Sequence, residues 1–240
     1  MKLILTGATG AAGLEILRAA IADTVTILSR RALPASIQPS PKAHVITHGD
    51  FASYPPSLLD QIRDHDACIW ALGKSANGMT EADYAVLTHD FPVAAITAFK
   101  SVGMGTTEMP FRFVYVSGEG ADQSGKSFMM FARVKGKTEK DLIDFAKSSN
   151  GTMKAQNIRP GYFFPSHPDD RQDLRTGFSR FIDRVIMPIV KTAAPSMAID
   201  ISDLGKVAVE IAKGKYGEDE VFSNAQMRGL LKTRKAEGEL

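Results

Sequence analysis

Three glycines with G-x-x-G-x-x-G spacing, Gly7, Gly10 and Gly13, follow the apolar residues 3–5 and precede Leu14, Ile16, Leu17 and Ile21 at roughly helical spacing. Strand, glycine turn and helix in that order can hold the pyrophosphate of a dinucleotide, because bare backbone amides at the positive end of a helix donate to phosphate oxygens. Gly7 permits a tight exit from the strand, Gly10 lacks the Cβ that would block the phosphates, and Gly13 lets the helix pack closely. The commoner fingerprint is G-x-G-x-x-G, and glycines alone can mark a plain turn; the flanking strand and amphipathic helix favour nucleotide binding.

Further residues fall where such a ligand would need them. Residues 24–28 read as a second strand and are followed by Ser29, Arg30 and Arg31. An acid at that point would bind a ribose 2′-hydroxyl, whereas arginine accommodates a 2′-phosphate. No acid is present, and guanidinium forks match phosphate oxygens, so NADP is favoured over NAD. The alternative is that both arginines are solvated loop residues. After a third strand over residues 45–48, the Asp50 carboxylate can accept from an adenine amino group while Phe51 covers the ring; Asp50 as a plain cap is an equal alternative. Gly73, after a fourth strand, offers a narrow backbone for the nicotinamide ribose to pass.

Elements must position these residues. The chain of 240 residues is 44% hydrophobic, carries a net charge of +2 with both signs interspersed, and suits one α/β domain with a sizeable core. No polybasic footprint for nucleic acid or membrane shows, so a small-molecule substrate is expected. Cys68, the one cysteine, sits in an apolar run and reads as a buried, inert thiol. With no room for a signal peptide and no run long enough to cross a bilayer, a cytoplasmic location is expected. None of the five histidines has metal-site spacing, and His44 and His48 read as outward residues of one strand. Helix is expected over residues 84–99, kinked or begun by Pro92, strand over 111–116, and a small, polar, mobile loop over 121–127. A long helix then covers 128–145, a strand 154–158, helices 178–190 and 203–213, and a short strand 221–224. Residues 166–176 read as irregular and 196–201 as extended.

The ordered set of GATGAAG at residues 7–13, Ser117 after the fifth strand, Lys135 on the next helix and Arg159-Pro160-Gly161 after the sixth strand resembles an atypical short-chain dehydrogenase/reductase. Within that superfamily it is most similar to the NmrA-like and Tat-interacting-protein-like NAD(P)-binding proteins. The resemblance implies a Rossmann-type doubly wound parallel sheet with helices on both faces and a small C-terminal substrate-side subregion. One domain would span residues 1–230, with a flexible tail over 231–240. NADP(H) would lie across the carboxyl edge: Gly7, Thr9, Gly10, Ala12 and Gly13 on the pyrophosphate, Ser29, Arg30 and Arg31 on the 2′-phosphate, Asp50 and Phe51 on the adenine. Ala71, Leu72 and Gly73 would line the ribose, and Pro160, Gly161, Tyr162 and Phe163 the nicotinamide amide.

The family's catalytic serine maps on Ser117 and its lysine on Lys135, which also binds the nicotinamide ribose. Its tyrosine, four residues before the lysine, is replaced by Phe131. A phenyl ring has no proton to exchange, so a water, Tyr162 or Tyr84 would have to serve. Lys135 as a solvated cation and Ser117 as a strand-end cap are the structural alternatives. Three functions stay open: an NADPH-dependent reductase of a small or medium-sized apolar carbonyl or imine compound in secondary metabolism, a non-redox isomerase or cyclase, and an NADP-sensing regulator. A monomer or homodimer is expected.

Overall fold

A computed structural model of the protein describes residues 1–34, 37, 41–163, 198–217 and 219–236. Its apolar runs become strands that are buried in the middle of the sheet, as parallel sheets require, and more exposed at the edge strand Ala43–Thr47. These are β1 (Lys2–Thr6), β2 (Thr24–Ser29), β3 (Ala43–Thr47), β4 (Ala67–Trp70), β5 (Phe111–Val116), β6 (Met153–Ile158) and β7 (Val221–Phe222). They form one sheet in the order β3-β2-β1-β4-β5-β6-β7, with every pairing parallel. Strand order reverses between β1 and β4, and such a switch point opens a crevice at the carboxyl edge.

Side chains alternate across the sheet, so Leu3 and Leu5 join one apolar cluster while Ile4 joins the other. On the first face lie α1 (Ala11–Ala19), α6 (Ile201–Ala212) and α7 (Asn224–Ala236). α1 and α6 cross closely: a Cβ on Gly205 would stand 2.6 Å from the Glu15 carbonyl oxygen. On the second face lie α2 (Pro56–Ile62), α4 (Phe91–Ser101) and α5 (Met130–Lys147), around the aromatic rings of Phe51, Trp70, Phe99, Phe111 and Phe113. Cys68 is fully buried there, and burial pushes its thiol well up, which keeps it protonated. No helix among the described residues is long and apolar enough to cross a membrane.

Several sequence expectations are corrected. Residues 84–99 are helical as expected and α4 begins at Phe91 and Pro92, but the helix is not regular: α3 (Glu81–Ala85) passes through a π-helical turn, Val86–Asp90, into α4. Pro92 sits in the first turn of α4 and has no N–H to return to the Thr88 carbonyl. That carbonyl instead accepts from the Tyr115 hydroxyl and from Thr138 Oγ1, each at 3.2 Å. β3 ends at Thr47, so His48 is not an outward strand residue: it is buried against Phe51 and Tyr54, while His44 is exposed. The final strand is only two residues long, and the tail expected from residue 231 is helical to Ala236 with Leu231 buried. Segments 166–176 and 178–190, expected to be irregular and helical, lie outside the described residues.

Candidate functional site

The turn from β1 into α1 is built by glycines for two different reasons. Gly7 has φ +72°, the left-handed region, and a Cβ there would lie 2.4 Å from the Ala71 carbonyl oxygen. A Cβ on Gly13 would stand 2.0 Å from the Gly7 carbonyl oxygen, so both glycines let the backbone close on itself. Gly10 differs: its added Cβ would meet only the Gly7 carbonyl, at 3.4 Å. Gly10 is also the N-cap of α1, no side chain caps the helix, and the first turn holds no acid. Open space over uncapped amides at a helix N-terminus fits a pyrophosphate. Thr6 Oγ1 accepts from the Leu72 amide at 3.2 Å and fixes the loop's base against the end of β4.

Two cavities of about 280 Å³ each flank this loop and share Leu72. The first is lined by Gly7, Thr9, Ser29, Arg30, Arg31 and Phe51, among others. Both arginines are exposed, with no partner for either guanidinium among the described residues. Phe51 is buried and packs edge-on against Trp70 at 5.6 Å, so its ring serves the core as well as the cavity wall. Asp50 lies off the lining of both cavities; its Oδ1 accepts from the Ala52 amide at 2.9 Å, which is the plain cap of the two alternatives.

The second cavity brings together Gly10, Ala12, Ala71, Leu72 and Gly73 from one side and Ser117, Lys135, Tyr84, Tyr115 and Phe163 from the other. Ser117 leaves β5 with its amide bonded to the Ile158 carbonyl at 2.8 Å. Its side chain is buried and the hydroxyl has no partner, so Ser117 caps nothing. Lys135 reaches from α5 to the Ser117 carbonyl, Nζ to O 2.6 Å, and is half-buried rather than a solvated cation. Desolvation brings its ammonium down to about 8, against the opposing pull of the Glu139 carboxylate one turn further along α5.

The proposed tyrosines separate. Tyr84 lines the cavity, whereas Tyr162 forms an isolated parallel bridge with Ala198 and is off the lining among the described residues. Pro160 is likewise off it; its carbonyl accepts from the Glu119 amide at 2.9 Å. Phe131 also stands outside the lining, its ring tip 3.9 Å from where a Cβ on Gly120 would be. Tyr115 and Thr88 were not anticipated as lining residues. The available signal was Pro92, which frees the Thr88 carbonyl that anchors Tyr115.

Behind Lys135, the fully buried Glu139 accepts from Arg159 Nε at 2.8 Å and from Gln123 Nε2 at 2.9 Å. The loop expected to be mobile is tied to α5: the Asp122 amide donates to the Ala132 carbonyl at 2.9 Å, and a Cβ on Gly136 would stand 2.0 Å from the Asp122 carbonyl. Arg133 holds the same segment through the Ser127 and Phe128 carbonyls while pairing with Glu81 at 2.6 Å.

No protein-family model and no curated protein matches the chain. Solved structures match it in fold. An oxidoreductase of the short-chain dehydrogenase/reductase family from Burkholderia thailandensis superposes with TM-score 0.68 at 14% identity, over 100% of this chain and 98% of that one. The 3-oxoacyl-[acyl-carrier protein] reductase from Brucella melitensis, in complex with NAD, gives 0.70 at 15% identity over 94% and 95%. The yeast methylglyoxal/isovaleraldehyde reductase, complexed with NADPH, gives 0.70 at 13% identity over 93% and 77%. The seven-stranded, Rossmann-type α/β architecture is shared with these proteins.

Proposed function

We propose that the protein is an NADPH-dependent reductase of a small or medium-sized apolar carbonyl or imine compound, an atypical, NmrA-like short-chain dehydrogenase/reductase that acts in secondary metabolism. One observation carries the reading: a Ser117 hydroxyl without a partner among the described residues and the Lys135 ammonium face a cavity that adjoins, across the glycine loop, one edged by two arginines whose guanidiniums have no partner among the described residues. The two cavities provide for the two ends of a dinucleotide, and the loop between them for its pyrophosphate. Gly7, Thr9, Gly10, Ala12 and Gly13 would hold the phosphates, Ser29, Arg30 and Arg31 the 2′-phosphate, and Ala71, Leu72 and Gly73 the ribose. Asp50, Pro160 and Tyr162 carry less of this assignment than the sequence alone suggested. Two of the superposed enzymes were solved with NAD or NADPH, which supports a nicotinamide dinucleotide here.

The bound nicotinamide supplies the hydride. Ser117 donates a hydrogen bond that orients the substrate carbonyl, and Lys135 places positive charge where negative charge develops on oxygen. Leu72, Tyr84, Tyr115 and Phe163 supply the mostly apolar part of the wall against which an apolar substrate would pack. The chain works in the cytoplasm as a monomer or homodimer on a small-molecule substrate. A second reading, a non-redox isomerase or cyclase with a structural nucleotide, is favoured by one observation: Phe131 stands where the family places its proton donor.

The test is NADPH consumption over a panel of aldehydes, ketones, imines and quinones, with nucleotide affinity measured in parallel. Turnover of at least one apolar carbonyl or imine is expected. Tight NADPH binding without consumption over the whole panel would transfer the assignment to the non-redox reading.

A further inference from the structure

We propose that Lys135 itself, rather than a tyrosine, donates the proton to the substrate's carbonyl oxygen. This rests on the reductase reading and assigns the donor which that reading lacks. Phe131, one helical turn before Lys135, has no exchangeable proton and stands off the cavity. Among the cavity's other proton carriers, the Tyr115 hydroxyl is committed to the Thr88 carbonyl at 3.2 Å, while the Tyr84 oxygen interacts with the Thr88 side chain. Burial raises both phenols above their ordinary value, which makes them poorer donors. Lys74 is exposed at the rim.

Lys135 is placed differently. One of its three N–H bonds is spent on the Ser117 carbonyl, which leaves two. Beside it Gly118 presents bare backbone, where a Cβ would have come within 3.6 Å of Nζ. The Ser117 hydroxyl, unpartnered on the same cavity, is free to fix the carbonyl oxygen. The charged and titratable groups around the amine are Glu139 on its own helix, Tyr84 and Tyr115 across the cavity, and Lys74 at the rim. Glu139 is held in place by Arg159 and Gln123. Desolvation outweighs Glu139 and leaves the ammonium an acid near neutrality, where proton donors work best.

In the step, the carbonyl carbon receives the hydride of NADPH and its π pair moves to oxygen. An N–H bond of Lys135 breaks as the O–H bond forms. NADPH is oxidised to NADP⁺, the carbonyl is reduced to the alcohol, and the neutral amine recovers a proton from water at the cavity mouth.

The experiment uses the full chain with a carbonyl substrate from the panel. Lys135→Arg keeps the charge but holds its proton too firmly to give it up. Expected, at NADPH concentrations that calorimetry shows to saturate each protein, are a kcat lower by about 10²–10⁴-fold and loss of the alkaline limb near pH 8. Lys135→Ala should be rescued by added methylamine, which a merely structural role would not allow. Without any cofactor, reductive ¹³C-methylation should show one resonance titrating near pH 8 that Lys135→Arg lacks. Wild-type kcat and pH profile in Lys135→Arg, absence of amine rescue, a Lys135 resonance in the ordinary lysine range, or loss of the alkaline limb in Tyr84→Phe would each overturn the proposal while leaving the reductase reading intact. No NADPH consumption by the wild-type protein is the distinct outcome that removes both.

Discussion

Arg30 and Arg31 stand at the rim of a cavity with their guanidiniums uncommitted among the described residues, so a 2′-phosphate placed there would gain charge-assisted bonds. Wild-type protein should bind NADPH more tightly than NADH, and replacing both arginines by alanine should cost the NADPH complex about 2–4 kcal/mol. Calorimetry on the two proteins checks this; equal affinity of the wild type for both nucleotides would end the assignment. A second residue-scale consequence concerns Lys135, whose folded-state pKa lies below its unfolded value. Below about 8 both states hold the proton, and the folded state bears the desolvation. Between that pH and the ordinary lysine value the unfolded chain binds more protons, so this group's contribution to stability rises with pH. Lys135→Met should therefore be more stable than wild type at about pH 7, with the difference shrinking as pH rises towards about 10. Urea denaturation of both proteins at the two pH values reads it. A gap that stays constant would contradict a desolvated ammonium.

At the scale of elements, the glycine loop separates binding from folding. Gly7 and Gly13 are confined by neighbouring backbone, whereas Gly10 faces open space. Gly10→Val should leave the circular dichroism spectrum native and abolish nucleotide binding; a folded variant that binds normally would place the phosphates elsewhere. The joint between α5 and the end of β6 depends on buried Glu139, and Glu139→Ala would leave the Arg159 charge and the Gln123 amide short of a partner. Breaking such a pair costs about 3–5 kcal/mol, measurable as a lowered denaturation midpoint. Elements of this kind differ in how far they can be read from sequence. The strand-glycine-helix start was legible because its glycines, apolar run and helical spacing are all local. The π-helical turn was not, because Pro92 shows only that the Thr88 carbonyl is freed, while the Tyr115 and Thr138 hydroxyls that satisfy it lie 27 and 50 residues away. Asp50 was ambiguous for a related reason: a carboxylate after a strand reads alike as cap or ligand, and the bond it accepts from the Ala52 amide is visible only in the structure. Tyr162 and Phe163 read alike in the sequence, and among the described residues only Phe163 lines the cavity.

The whole molecule gathers at one sheet edge residues that lie far apart in the chain. The order β3-β2-β1-β4-β5-β6-β7 puts the ends of β1, β2 and β4 around one cavity and those of β1, β4 and β5 around its neighbour. α5, packed on β6, then delivers Lys135 to the second cavity. This architecture is shared with enzymes of several activities, and function is decided by the site and not by the fold. The central claim is that hydride passes from a dinucleotide bound along this edge to a carbonyl or imine carbon beside Ser117 and Lys135. The most direct measurement follows deuterium from NADPH labelled at the nicotinamide C4 into the product by mass spectrometry. The predicted result is one deuterium on the former carbonyl or imine carbon, with one NADP⁺ formed per product; product without the label, or label retained on an unconsumed nucleotide, would contradict the account.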